Sequence, residues 1–198
     1  MDLGCGFGWH CIYAVDQGAA SVIGIDISEN MLKEARRKTT HSNVTYICSP
    51  IEDYEYPESA FDIVISSLAL HYMPSFDDIC SSVSKSLIID GEFVFSVEHP
   101  IFTSQGKQDW VYDETGIPLH WPVDNYFIEG KRNALFLGEN VIKYHKTITT
   151  YIDALLRYGF SITGLFEPKP EPKIIERIPM MKDELRRPMM LIVSAKKV

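Results

Sequence analysis

Apolar positions along this chain follow two periods in alternation. Ser21-Val22-Ile23-Gly24-Ile25-Asp26, Asn43 to Cys48, Phe61 to Ser66 and Glu92 to Val97 are short, near-continuous apolar runs, the pattern of strands buried on both faces. Between them lie stretches at helical spacing. One runs from Trp9 to Gln17 with Gly18 closing it, and one is capped by Ser28, with Met31, Leu32 and Ala35 along a single face. A third opens on the capping box Ser75-Phe76-Asp77-Asp78 and reaches about Ile89, where Asp90-Gly91 turns the chain into the next strand. Farther on, Thr147 to Tyr158 predicts a helix closed by Gly159, and Ser161 to Phe166 and Met189 to Ala195 predict a closing pair of strands. Alternation of this kind gives an α/β, doubly wound, mostly parallel seven-stranded sheet, with one antiparallel edge strand expected at its end.

Two stretches stand outside the pattern. In Glu167-Pro168-Lys169-Pro170-Glu171-Pro172 the alternate prolines forbid helix and ladder pairing alike, which predicts a loop. Residues 99–146 show little helical period but hold Phe102, Trp110, Tyr112, Trp121, Tyr126, Phe127, Phe136 and Tyr144. A connection this long inside one domain is usually functional or disordered, and so many aromatics oppose disorder. It reads as an aromatic-rich insertion after the fifth strand, a substrate cover over the carboxyl ends of the strands; an added hairpin or a homodimer surface is the plainer alternative. The whole of 1–198 is then one domain, and its length suffices for a core without disulfides or metals.

The net charge of −8 argues against a nucleic-acid partner, and Arg36-Arg37-Lys38 and Arg186-Arg187 read as solvated surface. Cys5, Cys11, Cys48 and Cys80 form no CxxC pair and read as buried thiols of a reducing compartment. With no stretch of membrane-spanning length and no leader pattern, the expectation is a cytoplasmic protein without a membrane partner.

The chemistry concentrates at the start. Asp2-Leu3-Gly4-Cys5-Gly6-Phe7-Gly8 is a GxGxG turn after a strand, where glycines let the backbone bend and approach a ligand. A dinucleotide fingerprint would need a further glycine where Trp9 stands, which disfavours a nicotinamide cofactor. Asp2, just before the turn, would repel a pyrophosphate and suits a ligand carrying positive charge. Asp26, closing the second strand beside the turn, is placed to accept both hydroxyls of a ribose.

DLGCGFG, GIDIS, FDIVISSLALHYM and DGEFVFSVEHP together resemble the class I S-adenosylmethionine-dependent methyltransferases, in particular the small-molecule group that includes the ubiquinone and menaquinone enzymes. The match is good over residues 2–100, moderate from Thr147 onward and slight between. It implies a Rossmann-like fold, S-adenosyl-L-methionine as cofactor with S-adenosyl-L-homocysteine as product, and a small-molecule acceptor. By resemblance, Asp2, Gly4, Cys5 and Gly6 surround the methionine part, Asp26 holds the ribose, Ile27 packs on adenine, Ile51 and Glu52 cover its edge, and Ser66 and Leu68 meet the amino-acid end. Pro50 stands where the family often has an acid for the adenine amino group, so Glu52 substitutes for it or packing alone holds the ring.

His99, in Glu98-His99-Pro100 after the fifth strand, is the candidate general base for a hydroxyl nucleophile; binding a loop carbonyl is its structural alternative. His71 reads as structural. Trp110, Tyr112, Trp121, Tyr126 and His145 are the candidate substrate wall, with the segment's own small core as the plainer account of the aromatics. His99, His120 and His145 match no metal spacing, so no metal is expected. Only Met1, Asp2 and Leu3 precede the glycine turn, and the covering helices usual in the family have no counterpart. The chain therefore reads as clipped: an enzyme expressed from an internal start, or a truncated, inactive relative with a binding or dimerising role.

Overall fold

Asp2–Leu3, strand β1, is only a dipeptide, yet it holds an interior place in the sheet because both neighbours pair with it in parallel, β2 (Val22–Asp26) through Gly24 and Ile25 and β4 (Phe61–Ser67) through Ile65. Leu3 is fully buried, a contribution of about 2 kcal/mol for such a side chain. A computed structural model describes residues 1–136 and 138–198, with the side chain of Phe136 also outside the description.

Helix α1 (Trp9–Asp16) joins β1 to β2, and α2 (Glu29–Lys38) joins β2 to β3 (Val44–Cys48). Ser28 caps α2 by accepting from the Met31 amide, and Leu32 and Ala35 are its buried positions. After β4 come a 3-10 turn at Leu70–Tyr72, α3 (Phe76–Ser86) capped by Ser75, and β5 (Leu87–Glu98). The segment that follows holds α4 (Pro100–Thr103) and two antiparallel hairpins, β6 (Val111–Tyr112) with β7 (Pro118–His120) and β8 (Gly130–Phe136) with β9 (Glu139–His145). Helix α5 (Ile148–Arg157), β10 (Phe160–Phe166), α6 (Pro172–Arg177), a 3-10 stretch at Pro179–Arg186 and β11 (Met190–Lys197) complete the chain.

The seven-stranded sheet has the order β3-β2-β1-β4-β5-β11-β10. The antiparallel strand is β11, paired on one side with β5 and on the other with β10, so it is not an edge strand. The sheet core is apolar on both sides of this junction: Phe93, Val97, Leu191, Val193 and Ala195 are fully buried, with Phe95 at 1% exposure. Phe76 and Tyr151 bring α3 and α5 onto it, their rings 4.8 Å apart.

Three boundaries depart from the pattern-based reading. Helix α3 stops at Ser86, and Leu87 already pairs with Phe61; residues 88–91 form a bulge, with Asp90 at φ 66°, before Glu92 pairs with Ile63. Ile88 and Ile89 suggested more helix, but both are exposed. The proline-rich stretch is irregular as far as Glu171, and its last proline opens α6 in the first turn, where a missing N–H costs nothing. The hairpins of the insertion were illegible because β8 reads Gly-Lys-Arg-Asn-Ala-Leu-Phe, with no clean alternation. Isolated two-stranded pairs are marginal without tertiary anchors.

Candidate active site

The glycine turn sits at the carboxyl end of β1, between β2 and β4, where a doubly wound sheet opens a crevice. The amides of Gly4 and Cys5 both donate to the Ile25 carbonyl, at 2.8 and 2.9 Å, and the Gly8 amide donates to Cys5. Gly4, Gly6 and Gly8 all have positive φ, but their surroundings differ. A Cβ on Gly4 would lie 2.4 Å from that of Ala69, and one on Gly8 would lie 2.2 Å from the Tyr46 hydroxyl. At Gly6 a Cβ would meet nothing within 4 Å, so this glycine faces open space. Close packing therefore explains Gly4 and Gly8, whereas Gly6 borders a cradle.

Asp26 closes that cradle. Its Oδ2 accepts from the Gly6 amide and its Oδ1 from the Ser28 amide, both at 2.8 Å, so one carboxylate fixes the loop and the start of α2 together. Each carboxylate oxygen has a further acceptor position beyond these bonds. Ile27, next to it, is 71% exposed, an apolar side chain presented at the cradle's rim. Ile51 lies in the core, within packing distance of Gly4, and Glu52 is exposed in the turn after β3.

Asp2 stands just before the turn and is enclosed by the fold. It is 1% exposed and its Oδ2 accepts from the Cys11 thiol at 3.4 Å, so it lies under the loop against α1. Its Oδ1 is buried without a partner, and burial pushes the carboxyl up to about 6 against the opposing effects of His10 and the Cys11 thiol. Cys5 is nearly buried. Ser66 binds the Leu3 carbonyl through its hydroxyl and so clamps β4 to β1. Leu68 has φ 54°, and its amide is shared between the carbonyl and hydroxyl of Ser96, which spends that donor on β5. Sequence reasoning missed Ser96 and Ala69, whose contacts appear only once the strands are paired.

His99 is 1% exposed and caps α4: its Nδ1 accepts from the Ile101 amide at 3.0 Å, which assigns the proton of the neutral ring to Nε2. Nε2 stands 2.9 Å from Glu167 without hydrogen-bond alignment. Burial holds this imidazole below its ordinary pKa, against the pull of Glu167. The lone pair a general base would use is thus engaged. His71 is buried beside Lys143 and Lys146, and burial followed by those charges lowers it to about 3.

The five candidate substrate residues do not form one wall. Trp110 and Trp121 meet edge to face and, with Phe102 stacked on Trp121, surround the Arg187 guanidinium, which lies 4.0 Å from the Trp121 ring centroid. Arg187 is 8% exposed and paired with Glu184. Tyr112 is exposed and donates to Asp109. Tyr126 and fully buried His145 lie elsewhere: Nε2 of His145 meets the Tyr126 carbonyl and Nδ1 the Thr103 hydroxyl, both at 2.8 Å, so the ring ties β9 to α4. A cluster missed in the sequence links the insertion to the sheet: Glu98, at the end of β5, accepts from Lys143 at 2.5 Å and from Gln108 at 2.6 Å, and Gln108 accepts from Lys143 at 2.9 Å. Among the described residues no group of three or more His, Cys, Asp or Glu could hold a metal ion, and no helix is long and apolar enough to cross a membrane.

Sheet order, glycine turn and strand-end acid define the Rossmann-like fold of class I methyltransferases. The methyltransferase-domain family matches residues 1–95. A proposed S-adenosylmethionine-dependent methyltransferase from Listeria monocytogenes is 57% identical, with TM-score 0.92, all of this chain and 89% of that one being covered. An S-adenosylmethionine-dependent methyltransferase from Mesorhizobium loti is 40% identical, with TM-score 0.91 over 99% of this chain and 89% of its own. A malonyl-[acyl-carrier protein] O-methyltransferase from Acetivibrio thermocellus is 34% identical over 100 residues, which are 48% of this chain and 34% of that protein's length. The chain belongs to the S-adenosylmethionine-dependent methyltransferases. These relatives do not single out the ubiquinone and menaquinone group.

Proposed function

We propose that the protein transfers a methyl group from S-adenosylmethionine to a small-molecule acceptor held under the segment 99–146. The observation that carries this reading is the cradle at Gly6, open where a Cβ would fill it and closed by the Asp26 carboxylate. Bound S-adenosylmethionine supplies an electrophilic methyl group on a sulfonium. The chain's part is then positioning and exclusion of water, which together account for much of the acceleration of such a displacement. Asp26 accepts from the ribose hydroxyls while keeping the loop in register, and Ile27 gives the adenine an apolar surface. Gly6 lets the backbone stand close to the methionine part.

The acceptor reading rests on where the aromatic segment is anchored. Glu98, Gln108 and Lys143 hold it at the carboxyl end of β5, Trp121 donates to the Ile101 carbonyl, and the Arg186 guanidinium binds the carbonyls of Pro118 and Leu119. These anchors, at the carboxyl end of β5, support reading the aromatic segment as the acceptor's cover. His99 is not assigned the base role, because its accepting nitrogen already serves α4. Calorimetric titration with S-adenosylhomocysteine tests the proposal. Binding is expected at micromolar strength, and Asp26→Ala should weaken it about 100-fold, the scale of a lost charge-assisted pair of hydrogen bonds. Equal affinity in the variant, or none in the parent, would reject the cofactor arrangement.

A further inference from the structure

Two thiols lie directly beneath the glycine turn, and the cofactor contacts proposed above use neither sulfur. A Cβ placed on Gly24 would stand 2.8 Å from the sulfur of Cys11 and 2.9 Å from that of Cys5, so both sulfurs converge on the space this glycine leaves empty. Cys5 belongs to the turn and Cys11 to α1, and neither is in a disulfide. Packing α1 onto β2 would account for two small apolar side chains. It does not account for the third member of the group: Asp2, whose Oδ2 accepts from the Cys11 thiol and whose Oδ1 is buried with no partner. The hydrogen bond to Cys5, burial and the Asp2 charge all push the Cys11 thiol up, so Cys11 does not stand as a free thiolate. It can attack only as its proton passes to the adjoining carboxylate.

We propose that Cys5 and Cys11 are a redox-modification site, in which hydrogen peroxide converts the pair to a disulfide that displaces the glycine turn and weakens cofactor binding. Cys5, at 7% exposure the more accessible of the two, reacts first. Its thiolate, formed by proton loss to solvent, attacks one peroxide oxygen. The O–O bond breaks, hydroxide leaves and is protonated to water, and Cys5 becomes a sulfenic acid. The Cys11 sulfur then attacks the Cys5 sulfur as its proton passes to Asp2. The S–O bond breaks, and the departing hydroxide takes up a proton to become the second water. In sum, two thiols and one peroxide give one disulfide and two waters; the thiols lose two electrons and the peroxide gains them. The bond draws the two sulfurs to about 2.05 Å. Gly6, whose amide holds Asp26, is the residue next to Cys5, so the cradle is displaced with it. Thiol reductant reverses the change.

This inference rests on the cofactor reading for its consequence but not for its chemistry, and the experiment separates the two. The full chain is treated with hydrogen peroxide, digested without reductant and mapped by mass spectrometry, while S-adenosylhomocysteine is titrated before oxidation, after it and after dithiothreitol. The expected result is a peptide linking Cys5 to Cys11, two mass units below the sum of the dithiol peptides, with affinity lowered at least 10-fold and restored by dithiothreitol. Cys11→Ser keeps a donor for Asp2 and should make affinity indifferent to peroxide; Cys5→Ser serves the same end should the first variant fold poorly. Absence of the linked peptide under conditions that oxidise exposed Cys48 overturns the proposal, as does a linked peptide with unchanged affinity. A reduced chain that binds no S-adenosylhomocysteine fails the cofactor reading alone, with the peptide map still deciding the thiol pair.

Discussion

Asp2 titrates against the fold. Its carboxyl is raised from the ordinary range to about 6 by burial, so between roughly pH 4 and 6 the unfolded chain gives up a proton that the native chain keeps. Stability on this account falls as pH rises through that window and stays low above it, by on the order of 3 kcal/mol. His71 acts in the opposite direction, because its lowered pKa makes the native chain refuse a proton that the unfolded chain accepts below about 6.5. Comparing the parent with Asp2→Asn cancels the histidine. The variant's advantage in thermal melts should be near zero at pH 4 and grow toward pH 7. The glycines separate in the same residue-by-residue way. Gly6→Ala should cost only about 1 kcal/mol, from its positive φ, yet abolish tight S-adenosylhomocysteine binding, since the new methyl enters the cradle. Gly8→Ala meets Tyr46, itself held by Thr39, and should cost about 2–4 kcal/mol in urea unfolding.

What the sequence disclosed about elements follows from how far apart the deciding residues lie. Ser28 and Ser75 act within three positions of themselves as helix caps, and Asp26 is marked by its place at a strand end, so local pattern suffices to read them, although the Asp26 bond to the Gly6 amide spans 20 positions. The bond from Leu68 to Ser96 spans 28 positions and that from Lys143 to Glu98 spans 45, and no period in the chain announces either. The aromatic segment shows the same divide: its rings were visible, but not that Arg187, just before β11 in the sequence, is the cation they enclose. Arg187→Leu keeps apolar bulk in that box while removing the charge and stranding Glu184. It should destabilise the segment by about 2 kcal/mol, read as shifted tryptophan emission and faster amide exchange over residues 102–121, and leave S-adenosylhomocysteine affinity within twofold.

On the scale of the whole molecule, cofactor binding and folding are linked, because the cradle joins β1, β2 and α2 through a single carboxylate. S-adenosylhomocysteine at 100 times its Kd should add about 2.7 kcal/mol. A chain of this size should then melt about 5–10 °C higher, a shift that Asp26→Ala at the same ligand concentration should largely lose. The place of β11 carries a consequence for how the molecule is made. Strand β5 ends at Glu98 and β10 at Phe166, yet the strand that joins them begins only at Met190. During synthesis the β5 edge and β10 wait unpaired until Met190–Lys197 has left the ribosome. Strands β10 and β11, two of the seven, therefore join the sheet late, and in that interval the open edges are available to any neighbouring nascent chain.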